Sequence, residues 1–351
     1  MKFVHISDVH LGMRPDASFP WGEIRERELY DTFFRVIDYC NQDDIDLLLI
    51  AGDLCHKPPG KEQFMEISYA FSKLNKTKVV LIAGSSDYIS EVSLYRNETW
   101  PNNVYPLLSE VIDYVYIEEL NTYVYGSSVY SNKRSTMGSQ MLMPLSKEGN
   151  HILLQYGEMN NYNTVNKEQS GISGFDYIAL GNNHKPERIT EKMAYSGSLE
   201  PLDSKEEGSH GFILGNISKE SCYLQFVKFA KRKYDIIHVE ADSTMNEKEI
   251  YDQVSSMILE KGKDNIYKVI INGSVDGNVE IDAKILLNAG NIVELLNNTT
   301  AIYDYKKLSY ANKDNIIGMY IDTVRHMQIP NQEIELVMFY GVKALLNSKE
   351  N

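Results

Sequence analysis

Five short apolar runs constrain this chain more than any other feature. They cover residues 3–6, 47–51, 79–83, 152–154 and 177–180. Short continuous runs of this kind read as strands buried on both faces. Each one ends in polar residues. The first runs into Ser7-Asp8-Val9-His10, the second into Gly52-Asp53 and the third into Gly84-Ser85-Ser86-Asp87. The fourth ends in Gln155-Tyr156-Gly157 and the fifth in Gly181-Asn182-Asn183-His184. Between the first two runs, Leu29, Phe33, Ile37 and Cys40 recur about once per helical turn, and a second helix is expected over 61–74. Strand–helix–strand alternation predicts an α/β sheet. Ligands of such sheets bind beyond the carboxyl ends of the strands, so five polar loop starts should converge on one cleft.

The rest of the chain is read more coarsely. Residues 186–230 carry Gly197, Gly208 and Gly215 at hairpin-like positions, which predicts a mixed sheet. Lys219, Lys228, Lys231, Arg232 and Lys233 are expected to form a solvated strand edge and linker. After them come a strand at 236–239 and a helix capped by Thr244 and Glu247, with Ile250, Val254, Met257 and Ile258 on its apolar face. A strand at 267–271, a helix at 281–287 and a strand at 292–296 complete a small α/β module. Two helices broken at Pro330 end the chain, striped by Ile317, Tyr320, Ile321 and Val324, then by Ile334, Val337, Met338, Gly341 and Leu345. The expected domains are 1–230, 231–308 and 309–351.

Composition excludes several classes. Cys40, Cys55 and Cys222 form no CxxC pair, so neither a disulfide framework nor a structural zinc site is indicated. No run approaches the ~20 apolar residues of a membrane span, and the first residues read as a strand rather than a leader. A soluble, cytoplasmic protein with no membrane partner is expected. Lys and Arg number 35 against 49 Asp and Glu, a net charge of −14. A chain that merely coats nucleic acid needs the opposite balance.

Asp8 and His10 are two apart, so both can leave a strand end toward one side. Oxygen and imidazole donors together suit manganese, iron or zinc better than magnesium or calcium. A carboxylate such as Asp53 can bridge two metals about 3.5–4 Å apart, the spacing used against phosphate esters.

These residues carry a resemblance. His5-Ile6-Ser7-Asp8-Val9-His10-Leu11-Gly12 is similar to the first motif of the calcineurin-like metallophosphoesterases, and Ala51-Gly52-Asp53-Leu54 to the second. Tyr195-Ser196-Gly197-Ser198-Leu199-Glu200-Pro201-Leu202, with Glu207-Gly208-Ser209-His210-Gly211, resembles a stretch particular to the SbcD/Mre-type and YhaO-type DNA repair exonucleases. The resemblance implies a four-layer α/β sandwich, a small α/β capping domain and C-terminal helices. It implies manganese-dependent hydrolysis of DNA phosphodiesters beside an SMC-like coiled-coil ATPase of the SbcC type, whose coiled-coil base the last helices would contact. A homodimer is a further assembly it allows.

Carried over by position, the first metal would be held by Asp8, His10, Asp53 and His184. The second should share Asp53 and add Asn, His and His, but Ser85, Tyr156 and Asn182 stand there. Ser86 stands where the family has the His that assists phosphate chemistry, whereas Asp87 is retained. Ser and Asn are weak neutral ligands, and a Tyr ionises only near pH ~10. The expectation is one divalent transition metal, manganese by resemblance, with no confident catalytic residue. Arg14, Arg25 and Arg27, in the loop after the first motif, are the candidates for DNA phosphate contact, and DNA binding by this chain alone should be weak. Three functions fit: a nuclease-family subunit with impaired hydrolysis, an active single-metal phosphodiesterase, or a non-catalytic partner of the ATPase.

Overall fold

The computed structural model describes residues 1–130, 143–146, 148–157, 174–218, 221–277 and 279–348. They fall into two compact units, Met1–Tyr234 and Asp235–Asn351. The first runs β1 (Lys2–Ile6), α1 (Gly22–Gln42), β2 (Leu47–Ala51), α2 (Lys61–Ser72), β3 (Lys78–Ile82), α3 (Leu94–Asn97), β4 (Val104–Pro106), β5 (Asp113–Ile117), β6 (Thr122–Gly126), β7 (Asn150–Tyr156), β8 (Tyr177–Gly181), β9 (Glu187–Thr190), β10 (Met193–Tyr195), β11 (Gly211–Ile217) and β12 (Cys222–Lys228).

Two six-stranded sheets result, in the orders β12-β11-β1-β2-β3-β4 and β5-β6-β7-β8-β10-β9. The apolar runs have no polar face because both faces are covered. Leu47, Leu49, Val80 and Ile82 pack between the sheets against Ile152, Leu154, Tyr177 and Ala179. The alternate residues Val4, Ile6, Leu48 and Ile50 pack under Leu29 and Phe33 of α1 and Phe64 and Phe71 of α2. The chain is therefore an α/β sandwich. Among the described residues, helices cover only the first sheet, so three layers of the expected four are seen. Parallel registers bring the site's strand ends level: Ile6 lies opposite Ile50, Ile50 opposite Leu81, and Tyr156 opposite Gly181.

The glycine expectations in 186–230 need correction. The antiparallel pairs are β9 with β10 and β11 with β12, so the first turn lies at 191–192 and the second connection follows Ile217. Gly197 and Gly208 lie in the connection from β10 to β11, and Gly215 lies inside β11. A Cβ on Gly215 would stand 2.0 Å from the Phe3 ring, so this glycine makes room for a core aromatic rather than for a turn.

In the second unit, β13 (Tyr234–Ala241), α4 (Glu247–Lys261), β14 (Ile266–Asp276), α5 (Ala283–Leu287), β15 (Ile292–Asn297) and β16 (Thr300–Ile302) form a small α/β layer. Ile250, Val254 and Ile258 of α4 are buried against Val239, Val269 and Ile271. The capping box of α4 is Asn246 with Glu249, not Thr244 with Glu247. The Thr244 hydroxyl donates instead to Asp242, and Glu247 accepts the Asp282 amide at 2.7 Å. The tail holds three helices, α6 (Tyr305–Ala311), α7 (Ile316–Arg325) and α8 (Asn331–Asn347), with Pro330 at the start of the last. Ile317, Ile321, Val324, Met338 and Val342 form their core. Among the described residues, no helix is long and apolar enough to cross a membrane.

Candidate metal centre

The loops leaving β1, β2 and β8 are bent in an unusual way. Asp8, His10 and Asp53 have φ of 51°, 51° and 50°, and Asn182 has 92°. Left-handed backbone at a residue with a side chain costs on the order of 1–3 kcal/mol and persists only where the surroundings over-determine it. Here the surroundings are a continued ladder. The amides of Asp8, His10 and Leu11 donate to the carbonyls of Gly52, Asp53 and Leu54 at 3.1, 3.0 and 2.9 Å. The first two motifs thus hold each other past the ends of their strands, with their side chains turned into one cleft.

Asp8, His10 and His184 each offer a donor atom, and these atoms all lie within 4.8 Å of one another. Asp53 stands beside them, with Oδ2 3.6 Å from His10 Nε2. His10 is 5% exposed, yet neither ring nitrogen has a hydrogen-bond partner. Burial pushes its imidazole down to about 3, so the ring is neutral and its lone pair is uncommitted. An orphaned, neutral, buried imidazole among carboxylates is what a divalent cation needs, so these residues fit one.

The other donors are already oriented. Asp8 accepts from the Ser7 hydroxyl at 2.6 Å and from the Asn182 amide at 3.1 Å. Burial pushes its carboxyl up to about 7 despite the His184 charge nearby. His184 Nδ1 lies 2.6 Å from Glu206 Oε1, and its Nε2 lies 4.0 Å from Asp8 Oδ1. Burial opposes the imidazolium, but Glu206 and Asp8 outweigh it and carry this ring up to about 9. A cation must displace the His184 proton, so its apparent affinity should rise about tenfold per pH unit between pH 7 and 9. Titration calorimetry in buffers of different ionisation enthalpy checks this, and a pH-independent affinity would contradict it. Glu206 was not singled out from the sequence. Its only signal there was an acid lying between the two pieces of the branch-specific stretch.

The second set of positions offers nothing comparable. The Tyr156 hydroxyl lies 2.7 Å from Asp53 Oδ2 and 2.8 Å from Ser85 Oγ. Ser86 donates its amide to Asp53 Oδ1 at 2.8 Å and its hydroxyl to Oδ2 at 3.0 Å. Burial, then the Asp53 charge, raises the Tyr156 phenol, so it stays protonated and donates. Its ring fills the space between two glycines. A Cβ on Gly52 would stand 2.4 Å from Tyr156 Cδ2, and one on Gly84 would stand 2.6 Å from Cε2. Asn182 reaches the site through its backbone amide. The residues do not fit a second cation. Asp87 is fully buried and accepts from the amides of Gly84 and Cys55 and from the Tyr95 hydroxyl, so it anchors the loop.

The three arginines separate. Arg14 and Arg27 are exposed, and Arg14 pairs with Glu26 at 2.9 Å. Arg25 is fully buried, which corrects its assignment to DNA contact. Its guanidinium binds Glu28 at 2.9 Å and the Pro201 carbonyl, and it lies 3.6 Å from Glu200. In the basic stretch, Lys231 pairs with Asp31 and Arg232 with Glu28, both residues of α1. Lys219 lies outside the described residues.

Comparison with known proteins adds a family. The sequence pattern of the calcineurin-like phosphoesterases matches residues 1–185. The chain is 29% identical to the DNA double-strand break repair protein Mre11 of Methanocaldococcus jannaschii, over 62% of this chain and 63% of that protein, just under two thirds of its length. It is 24% identical to the protein of the same name from Thermoplasma acidophilum, over 80% of this chain and 78% of that one. With the Sulfolobus acidocaldarius protein it shares 23% identity, over 91% and 84%.

Proposed function

The chain belongs to the calcineurin-like phosphoesterase family, and on that premise we propose that it is a DNA repair exonuclease-type subunit with impaired hydrolysis. Asp8, His10, Asp53 and His184 would hold one divalent metal, taken to be manganese. A bound cation supplies Lewis-acid polarisation of a phosphoryl oxygen. The observation that carries the reading is Tyr156. Its phenol donates to the carboxylate that the family uses as a bridge, and its ring occupies the space beside it.

The chain's own groups then set the limits. Asp8 and Asp53 face an incoming phosphate with two negative charges, and one cation offsets them less than two would. The Ser86 hydroxyl is far too weak an acid to protonate a leaving oxygen at neutral pH and already donates to Asp53, so general-acid assistance is missing at that position. Of the three arginines, exposed Arg14 and Arg27 remain as candidates for a phosphate backbone, in a chain of net charge −14. DNA binding by this chain alone is therefore weak and salt-sensitive. The reading adds an SMC-like coiled-coil ATPase as partner, with the last helices as its contact.

Metal content and cleavage test this together. Elemental analysis after manganese loading should return about one ion per chain. Manganese-dependent cleavage of linear duplex DNA should run roughly 10³-fold below a two-metal relative assayed alongside, the scale of losing one charge-stabilising group and a proton donor. Two ions per chain, or robust cleavage abolished by Asp53→Asn, would overturn the reading. Slow turnover of a generic phosphodiester, lost in His184→Ala, would mark a single-metal phosphodiesterase instead.

A further inference from the structure

We propose that Glu206 is a positioning residue for His184, holding the proton on Nδ1 and presenting Nε2 to the metal centre; this rests on the one-metal reading above. An imidazole ligates through one nitrogen only when the other carries the proton. A carboxylate on that second nitrogen selects the tautomer, fixes the ring and makes the ligating nitrogen more basic. The carboxylate of Glu206 can only accept, so its 2.6 Å contact places the proton on Nδ1.

The geometry around Glu206 is that of an oriented group. Its second oxygen accepts the Leu202 amide at 2.8 Å and the Ser198 hydroxyl at 3.4 Å. Its side chain is 17% exposed. The same loop grips the His184 backbone, since the Ser198 amide donates to the His184 carbonyl at 2.9 Å. Gly197, at φ +76°, lets the two chains approach, and a Cβ there would stand 2.8 Å from that carbonyl. His210 closes the loop, with Nδ1 2.9 Å from Ser198 Oγ and Nε2 3.2 Å from the Glu206 carbonyl. His184 is thus held at both its backbone and its ring by residues 197–210. His10 has no comparable partner, because both of its nitrogens are free of hydrogen bonds. Of the two histidines, only His184 is hydrogen-bonded by the Glu206 carboxylate.

The test uses the full chain with Glu206→Ala and Glu206→Gln. Two readouts are followed: the Kd for Mn²⁺ by electron paramagnetic resonance, and the His184 tautomer of the metal-free protein by ¹⁵N resonance at alkaline pH. Glu206→Ala should weaken Mn²⁺ binding roughly 10–100-fold. It should also turn a single Nδ1–H tautomer into a mixture. Glu206→Gln keeps an acceptor oxygen, so it should preserve the tautomer and recover most of the affinity. If Glu206→Ala does not fold, Glu206→Gln carries the test through the same two readouts. An unchanged Kd and tautomer in Glu206→Ala, or a lost tautomer in Glu206→Gln, would overturn the proposal. A wild-type chain that binds no Mn²⁺ would sink the one-metal reading, while the metal-free tautomer would still decide the role of Glu206.

Discussion

Installing Ser85→Asn, Ser86→His, Tyr156→His and Asn182→His together should raise metal content from about one ion to two per chain. Manganese-dependent cleavage of duplex DNA should rise roughly 10²–10⁴-fold, the range for recovering a general acid with its charge-stabilising partner. Asp53 decides the outcome. In the present chain its oxygens accept from Ser86 twice and from the Tyr156 phenol. A His at 156 removes that phenol and a buried ring carbon edge, freeing the space between Gly52 and Gly84. Position 182 tolerates the change, because its φ of 92° lies on the side of the map where Asn, Asp and His are enriched. The Ser86 amide contact survives, since it comes from the backbone. Tyr156→His alone should gain nothing, because Ser85 and Asn182 still offer weak neutral donors. Residues that act as one unit are grossly non-additive. A folded quadruple variant that still holds one ion and cleaves no faster would show that activity was lost elsewhere.

What the sequence made legible follows physical lines. The strands β1, β2, β3, β7 and β8 are short, continuous and apolar because both of their faces are buried, and such runs stand out. The strands β4 to β6 do not. Asp113–Ile117 is an edge strand with half-exposed tyrosines, and Thr122–Gly126 alternates tyrosine with small residues. The placement of Asp8, Asp53 and His184 at one end of the sheets was legible because each follows a strand end by two or three residues. Glu206 was not, since it reaches His184 only after the chain turns at Gly197 and folds back. The cap of α4 failed for a different reason. Thr244 and Asn246 both stand three residues before a Glu, and Asp242 decides between them by taking the Thr244 hydroxyl.

At Arg25, helical spacing outranks charge. This residue sits one turn before Leu29 and two before Phe33, on the buried stripe of α1. Its guanidinium stands between Glu28 and Glu200, both buried, and Glu200 Oε2 has no hydrogen bond, with Arg25 Nη1 3.6 Å away. Glu28 keeps its pair with Arg232, but Glu200 is left buried without a cation, and breaking a buried ionic group in this way costs about 3–5 kcal/mol. Arg25→Ala should therefore lower Tm by roughly 6–20 °C for a unit of this size. The loss should also reach the metal centre, because Pro201, which Arg25 binds, leads into the Leu202 amide that orients Glu206. Arg14→Ala, at an exposed pair, should change stability by less than about 0.5 kcal/mol. A phosphate-contacting arginine behaves in the opposite way. Its loss lowers the salt dependence of DNA binding by about one ion and leaves Tm alone. That second pattern in Arg25→Ala, measured by calorimetry and salt titration on the same sample, would return Arg25 to the cleft rim.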